Sequence, residues 1–100
     1  MIYDKQNVIL WYFMIIGKIV TDLEAPFDTL LVKCRRPFRN MDGEYEDDIL
    51  GITITEPLKR ILKDNFKCGQ KVVVKGRLEG CSFNACKMVA ERIISMEGDD

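Results

Sequence analysis

The chain is built from apolar segments broken by polar turns, and the spacing within each segment names its element. Residues 8–16 are apolar at every position and rich in β-branched and aromatic side chains, which favours strand over helix. Gly17 interrupts the run as a bulge or sharp bend would, and Lys18, Ile19 and Val20 continue it. A loop over 21–26 leads to a second predicted strand over 27–36, ended by Pro37. Asn40-Met41-Asp42-Gly43 is a turn whose Asp-Gly pair suits positive φ. A third strand is predicted over 45–54, with Ile52 and Ile54 on one face and Thr53 on the other.

The period then changes. Thr55 is a suitable N-cap, and Pro57 sits in a first turn where a missing N–H is harmless. Leu58, Ile61, Leu62 and Phe66 share one helical face, and Gly69 is expected to end the helix. A fourth strand is expected over 71–83, bent at Gly76 or Gly80. Asn84-Ala85 is a tight turn, and a fifth strand covers 86–96. Three strands, one helix and two strands in about 100 residues is the order of the five-stranded OB-fold barrel, an all-β class with one helix, although pattern alone leaves other small barrels open. The domain is expected to span 1–97, with a short acidic tail over 98–100.

Composition narrows the function. The chain is 47% apolar with a net charge of −1, which suits a folded globule and says nothing by itself about nucleic acid. The distribution says more. Lys33, Arg35, Arg36 and Arg39 crowd into 33–39 with no acid among them, and Lys33 and Arg35 share one side of the second strand. Asp42, Glu44, Glu46, Asp47 and Asp48 crowd into 42–48, a surface that a phosphate backbone would avoid or that contacts protein. Histidine is absent, which removes His-based acid–base catalysis, the Ser-His and Cys-His pairs and the commonest zinc ligand. Cys34, Cys68, Cys81 and Cys86 contain no C-x-x-C pair. With no secretory signal, free thiols are expected, and a Cys81–Cys86 disulfide across a hairpin is the alternative. The apolar run 8–16 is too short to span a bilayer. No cofactor, metal, small-molecule substrate or enzymatic activity is expected.

Several segments together resemble the bacterial single-stranded DNA-binding protein (SSB) family. Met14-Ile15-Ile16-Gly17-Lys18-Ile19-Val20 is similar to its first strand. Arg36-Pro37-Phe38-Arg39-Asn40 and Asp42-Gly43-Glu44-Tyr45-Glu46 are similar to the end of its second strand and the turn that follows. Lys67-Cys68-Gly69, Gly76-Arg77-Leu78 and Val89-Ala90-Glu91-Arg92-Ile93 resemble its later pieces. The resemblance implies an OB-fold that binds single-stranded DNA without sequence preference, with bases stacked on aromatic rings and phosphates met by Lys and Arg. It places the first and last of the family's four stacking positions on Phe38 and Phe83, and the middle two on Ile49 and Thr55. The family's long hairpin between strands four and five shrinks here to about 82–85, and its acidic, Phe-ending tip is not expected.

The expected DNA-binding residues are therefore Phe38, Phe83, Arg35, Arg36, Arg39, Lys75 and Arg77. Tyr45, Phe66 and Phe27 are expected to pack in the core or across strands. The first strand is apolar on both faces, so one face asks for a partner, and the resemblance implies a homo-oligomer, dimer or tetramer, joined through it. The expected setting is replication, recombination or repair in a bacterial or phage-derived cytoplasm, associated with the nucleoid. The alternative is a degenerate OB-fold serving as a protein-interaction module of a replication or primosome-type assembly.

Overall fold

The computed structural model describes residues 11–83 and 85–96. Its elements are β1 (Tyr12–Ile19), β2 (Thr29–Arg39), β3 (Tyr45–Thr53), α1 (Glu56–Asn65), β4 (Lys71–Glu79) and β5 (Lys87–Ser95). The strands close into a barrel in the order β1-β2-β3-β5-β4, with α1 between β3 and β4. This is a five-stranded OB-fold, as the order of elements predicts.

Alternation builds the interior. Ile19, Leu30, Val32, Ile52, Val72 and Val74 point inward from β1 to β4 and are buried, while their strand neighbours face out. Leu58 and Leu62, four residues apart on α1, join the same core. Ile61 differs from expectation: it is 45% exposed, because the barrel accepts only the narrow Leu58–Leu62 stripe. Phe27 and Phe66 pack against the core, and the loop residue Leu23 is buried in it.

Several boundaries differ for identifiable reasons. Pro37 does not end β2, which continues to Arg39. Arg35 faces Asp47 and Arg39 faces Tyr45, so four steps along β2 match two along β3. The extra residues bulge out of the ladder, and a proline with no N–H is tolerated there. Gly69 does not end α1. The helix stops at Asn65, and Phe66 turns to an extended conformation (φ −126°, ψ 163°) with its N–H on the Leu62 carbonyl. Thr55 occupies the N-cap position without a side-chain bond to the helix. β4 ends at Glu79, and Gly80 breaks the chain direction with φ 58°. β5 begins at Lys87 rather than at residue 86. Cys81 and Cys86 are joined as a disulfide across the β4–β5 loop, where free thiols were expected, while Cys34 and Cys68 remain thiols. The predicted strand residues 8–10, Asn84 of the turn and the acidic tail lie outside the described residues.

Candidate nucleic-acid interface

The β2–β3 hairpin carries most of the predicted site. Its turn is tied by one side chain: Asn40 Oδ1 accepts the N–H groups of Asp42 (2.9 Å) and Glu44 (3.0 Å), and Asn40 Nδ2 donates to Glu46 (3.0 Å). Gly43 takes the positive φ of 80° that this turn requires. A hairpin fixed at its tip sets the register behind it, and that register brings the basic and acidic clusters of the sequence together.

Arg36 is the clearest case. Its Nε and Nη2 donate to the two oxygens of Asp48 at 2.9 Å each, and Nη1 donates to Glu46 at 2.9 Å. This forked pair holds the Asp48 carboxyl below its ordinary pKa, and the same bonds push Arg36 above its own. Because the Asp48 value is depressed on folding, the pair adds stability above the unfolded carboxyl pKa and loses it as pH falls through the folded one. Asp47 lies 3.8 Å from Lys33 Nζ and 3.7 Å from Arg35 Nε. Glu46, Asp47 and Asp48 are thus cross-strand partners of the basic strand end.

Beyond these pairs stands an aromatic–cation group. The guanidinium carbons of Arg35 and Arg39 lie 5.6 and 5.4 Å from the Tyr45 ring centroid. Both distances fall within cation–π range. Tyr45 is half exposed, so its packing is across strands rather than in the core. Phe38, carried on the β2 bulge, is 61% exposed.

Lys75 and Arg77 lie on β4, which is separated from β2 by β1 in the barrel order. Arg77 is held by two acids, donating to Glu79 at 2.5 Å and Glu91 at 3.0 Å, and both raise its pKa. Lys75 faces Met14 on one side and Arg92 on the other, beside a shallow hollow of about 420 Å³. Phe83 is fully exposed in the disulfide-closed loop between β4 and β5, where Ser82 N–H donates to the Ala85 carbonyl. The structure therefore gathers Arg35, Arg36, Phe38 and Arg39 on one hairpin and places Lys75, Arg77 and Phe83 on a second.

This architecture matches solved proteins. The mitochondrial single-stranded DNA-binding protein of S. cerevisiae superposes with a TM-score of 0.67 at 19% identity, over 87% of this chain and 94% of that one. The single-stranded DNA-binding protein of Plasmodium falciparum, solved with single-stranded DNA, gives 0.59 at 18% identity, over 88% and 96%. A small single-stranded DNA-binding protein of Streptomyces coelicolor gives 0.52 at 19%, over 84% and 90%. The chain shares the five-stranded OB-barrel fold of these proteins. No protein-family model and no curated protein matches the sequence.

Within that fold, Ile49 is exposed on β3 opposite Lys33, and Thr55 is exposed at the start of α1. Tyr45 is the aromatic that sequence reasoning set aside. The signal that could have found it is its place directly after the turn, where a hairpin partner on the basic strand end is unavoidable. Among the described residues no helix is long and apolar enough to cross a membrane.

Proposed function

We propose that this chain binds single-stranded DNA without sequence preference and works as a binding protein rather than an enzyme, in replication, recombination or repair. The observation that supports the reading best is the β2–β3 hairpin, where Phe38 and Tyr45 are exposed beside Arg35 and Arg39 on an OB barrel. Exposed rings stack any base, and the guanidinium groups beside them meet phosphates or stack in turn. Phe83 and Lys75 supply a second contact on the β4–β5 side, and the single-stranded DNA-binding proteins with this fold support the assignment.

A titration of labelled oligo-dT at several salt concentrations tests it. With about 3–5 phosphates neutralised, log K should fall against log salt with a slope of about −2 to −3.5, and duplex should bind less tightly. One observation favours a second reading, a protein-interaction module of a replication-type assembly: Arg36 and Arg77 are already satisfied by carboxylates. Equal affinity for duplex, or no response to salt, would reject the single-strand-binding reading.

The same reading includes a homo-oligomer in the cytoplasm. On β1, Phe13 and Ile15 turn toward the core, while Tyr12, Met14 and Ile16 face outward and exposed, and the exposed Ile94 of β5 lies in register with Ile16 across Val73 of β4. Among the described residues β1 pairs with β2 only at Lys18 and Ile19, so its other edge from Tyr12 to Gly17 carries no ladder there. An apolar face beside an open edge favours pairing with a second copy about a two-fold axis. Sedimentation equilibrium should show a dimer or tetramer, and Met14→Lys should shift it toward monomer. A wild-type species of 11.6 kDa at micromolar concentration would reject the assembly.

A further inference from the structure

The outer face of β1 changes character at its end. Tyr12, Met14 and Ile16 are apolar, and then comes Lys18. Lys18 stands directly opposite Lys33 of β2 on one side and directly opposite Lys71 of β4 on the other. Three lysines therefore run across three adjacent strands in register. Like charges directly opposite each other are destabilising in a sheet, so packing alone does not account for Lys18 standing opposite Lys33. Asp47 also lines this region, and it reaches Lys33 and Arg35 only loosely, at 3.8 and 3.7 Å. The row lines an open groove of about 550 Å³ that continues to Arg35.

From this register and groove we infer a phosphate-binding track, Lys33–Lys18–Lys71, that takes the sugar-phosphate backbone of a single strand leaving the Arg35–Tyr45–Arg39 group. It rests on the single-strand-binding reading above and adds the path. Arg35 belongs to both features, so the track begins where the aromatic group ends. Strands lie about 4.8 Å apart, so the row spans about 10 Å. A single strand advances at least the roughly 3.4 Å per nucleotide of a stacked duplex strand, so at most about three phosphates fall over that length. The track also marks where a contact between copies through Tyr12, Met14 and Ile16 must stop, because a second lysine row would repel the first.

The test is the double variant Lys18→Gln/Lys33→Gln, with Lys63→Gln on α1 as the control. Lys18 and Lys33 are both exposed, so the fold should survive, and relieving their repulsion should leave Tm at low salt unchanged or higher. The probe is labelled oligo-dT, read by anisotropy between about 50 and 200 mM salt. Two lost contacts should make the salt slope shallower by about 1.4, so that the wild-type advantage shrinks roughly sevenfold across that range. Lys63→Gln should keep the wild-type slope. If wild type binds and the double variant keeps its slope, the track is wrong and the binding reading stands. If wild type does not bind oligo-dT at all, both fall. A variant whose sedimentation mass changes would place the lysines at a subunit contact and overturn the track.

Discussion

Gly76→Ala should destabilise the barrel by about 3 kcal/mol or more, the upper end of what overpacking costs. Gly76 sits in β4 opposite Phe13 of β1, at the step where the β4–β5 register shifts. A Cβ there would lie 2.8 Å from two atoms of the Phe13 ring and closer still to the Val89 carbonyl oxygen. The ring can turn, but the carbonyl belongs to the backbone of β5 and cannot move without breaking the ladder. Gly17 is a second site of this kind, where a Cβ would press on the Lys33 carbonyl and the Val32 side chain. Small domains have a total stability of about 5–15 kcal/mol, so either substitution removes a large share. Gly51→Ala is the contrast. Its nearest neighbours are side-chain atoms, Thr29 Cγ2 at 3.3 Å and Leu31 Cδ2 at 3.8 Å, and it should change stability by less than about 1 kcal/mol. Urea denaturation of the three variants decides this, and a Gly76→Ala midpoint equal to wild type would contradict the packing described here.

The same positions show what the sequence can and cannot tell. Local period was enough for the order of elements, because β-branched runs and the Leu58–Leu62 pair have no other good solution. A bend at Gly76 or Gly80 was legible as a break in strand character, and Gly80 does end β4. Which close approach Gly76 permits was not legible, because Val89 and Phe13 reach it through two different strand pairings. Electrostatics failed in the same way. The acids of 42–48 looked like a separate surface, yet the hairpin register sets Asp47 and Asp48 opposite Arg35 and Cys34, and the Arg36 fork closes on Asp48 and Glu46. Counting back from the Asn40–Gly43 turn would have paired them in part, but the Pro37–Phe38 bulge spoils the count by two residues. Long-range register is invisible to any local reading, which is why Lys18 and Lys71 were not among the expected site residues.

Phe38→Ala and Phe83→Ala should each weaken oligo-dT binding by about 1–3 kcal/mol, the range for one base–aromatic stack. At 1.4 kcal/mol per decade that is roughly 5- to 140-fold for each, and more for the pair. The two rings are exposed by different means. Phe38 rides on a bulge, and Phe83 sits in a loop whose ends are joined by Cys81 and Cys86. Phe38 is 61% exposed and Phe83 fully so, so neither holds the core and both variants should keep the wild-type urea midpoint. That separates a lost platform from a damaged fold. Tyr45→Ala should also weaken binding, since it removes the ring between Arg35 and Arg39. The gain-of-function arm is stricter. Ile49 is exposed on the outer face of β3 that Tyr45 and Asp47 share, at a position the resemblance assigns to stacking. Ile49→Trp should therefore tighten binding by up to one stack, about 1–3 kcal/mol. Loss in neither alanine variant, with wild type binding normally, would show that the bases run elsewhere on the barrel. Loss in Phe38→Ala alone would confine the strand to the β2–β3 hairpin and remove the β4–β5 loop from the site.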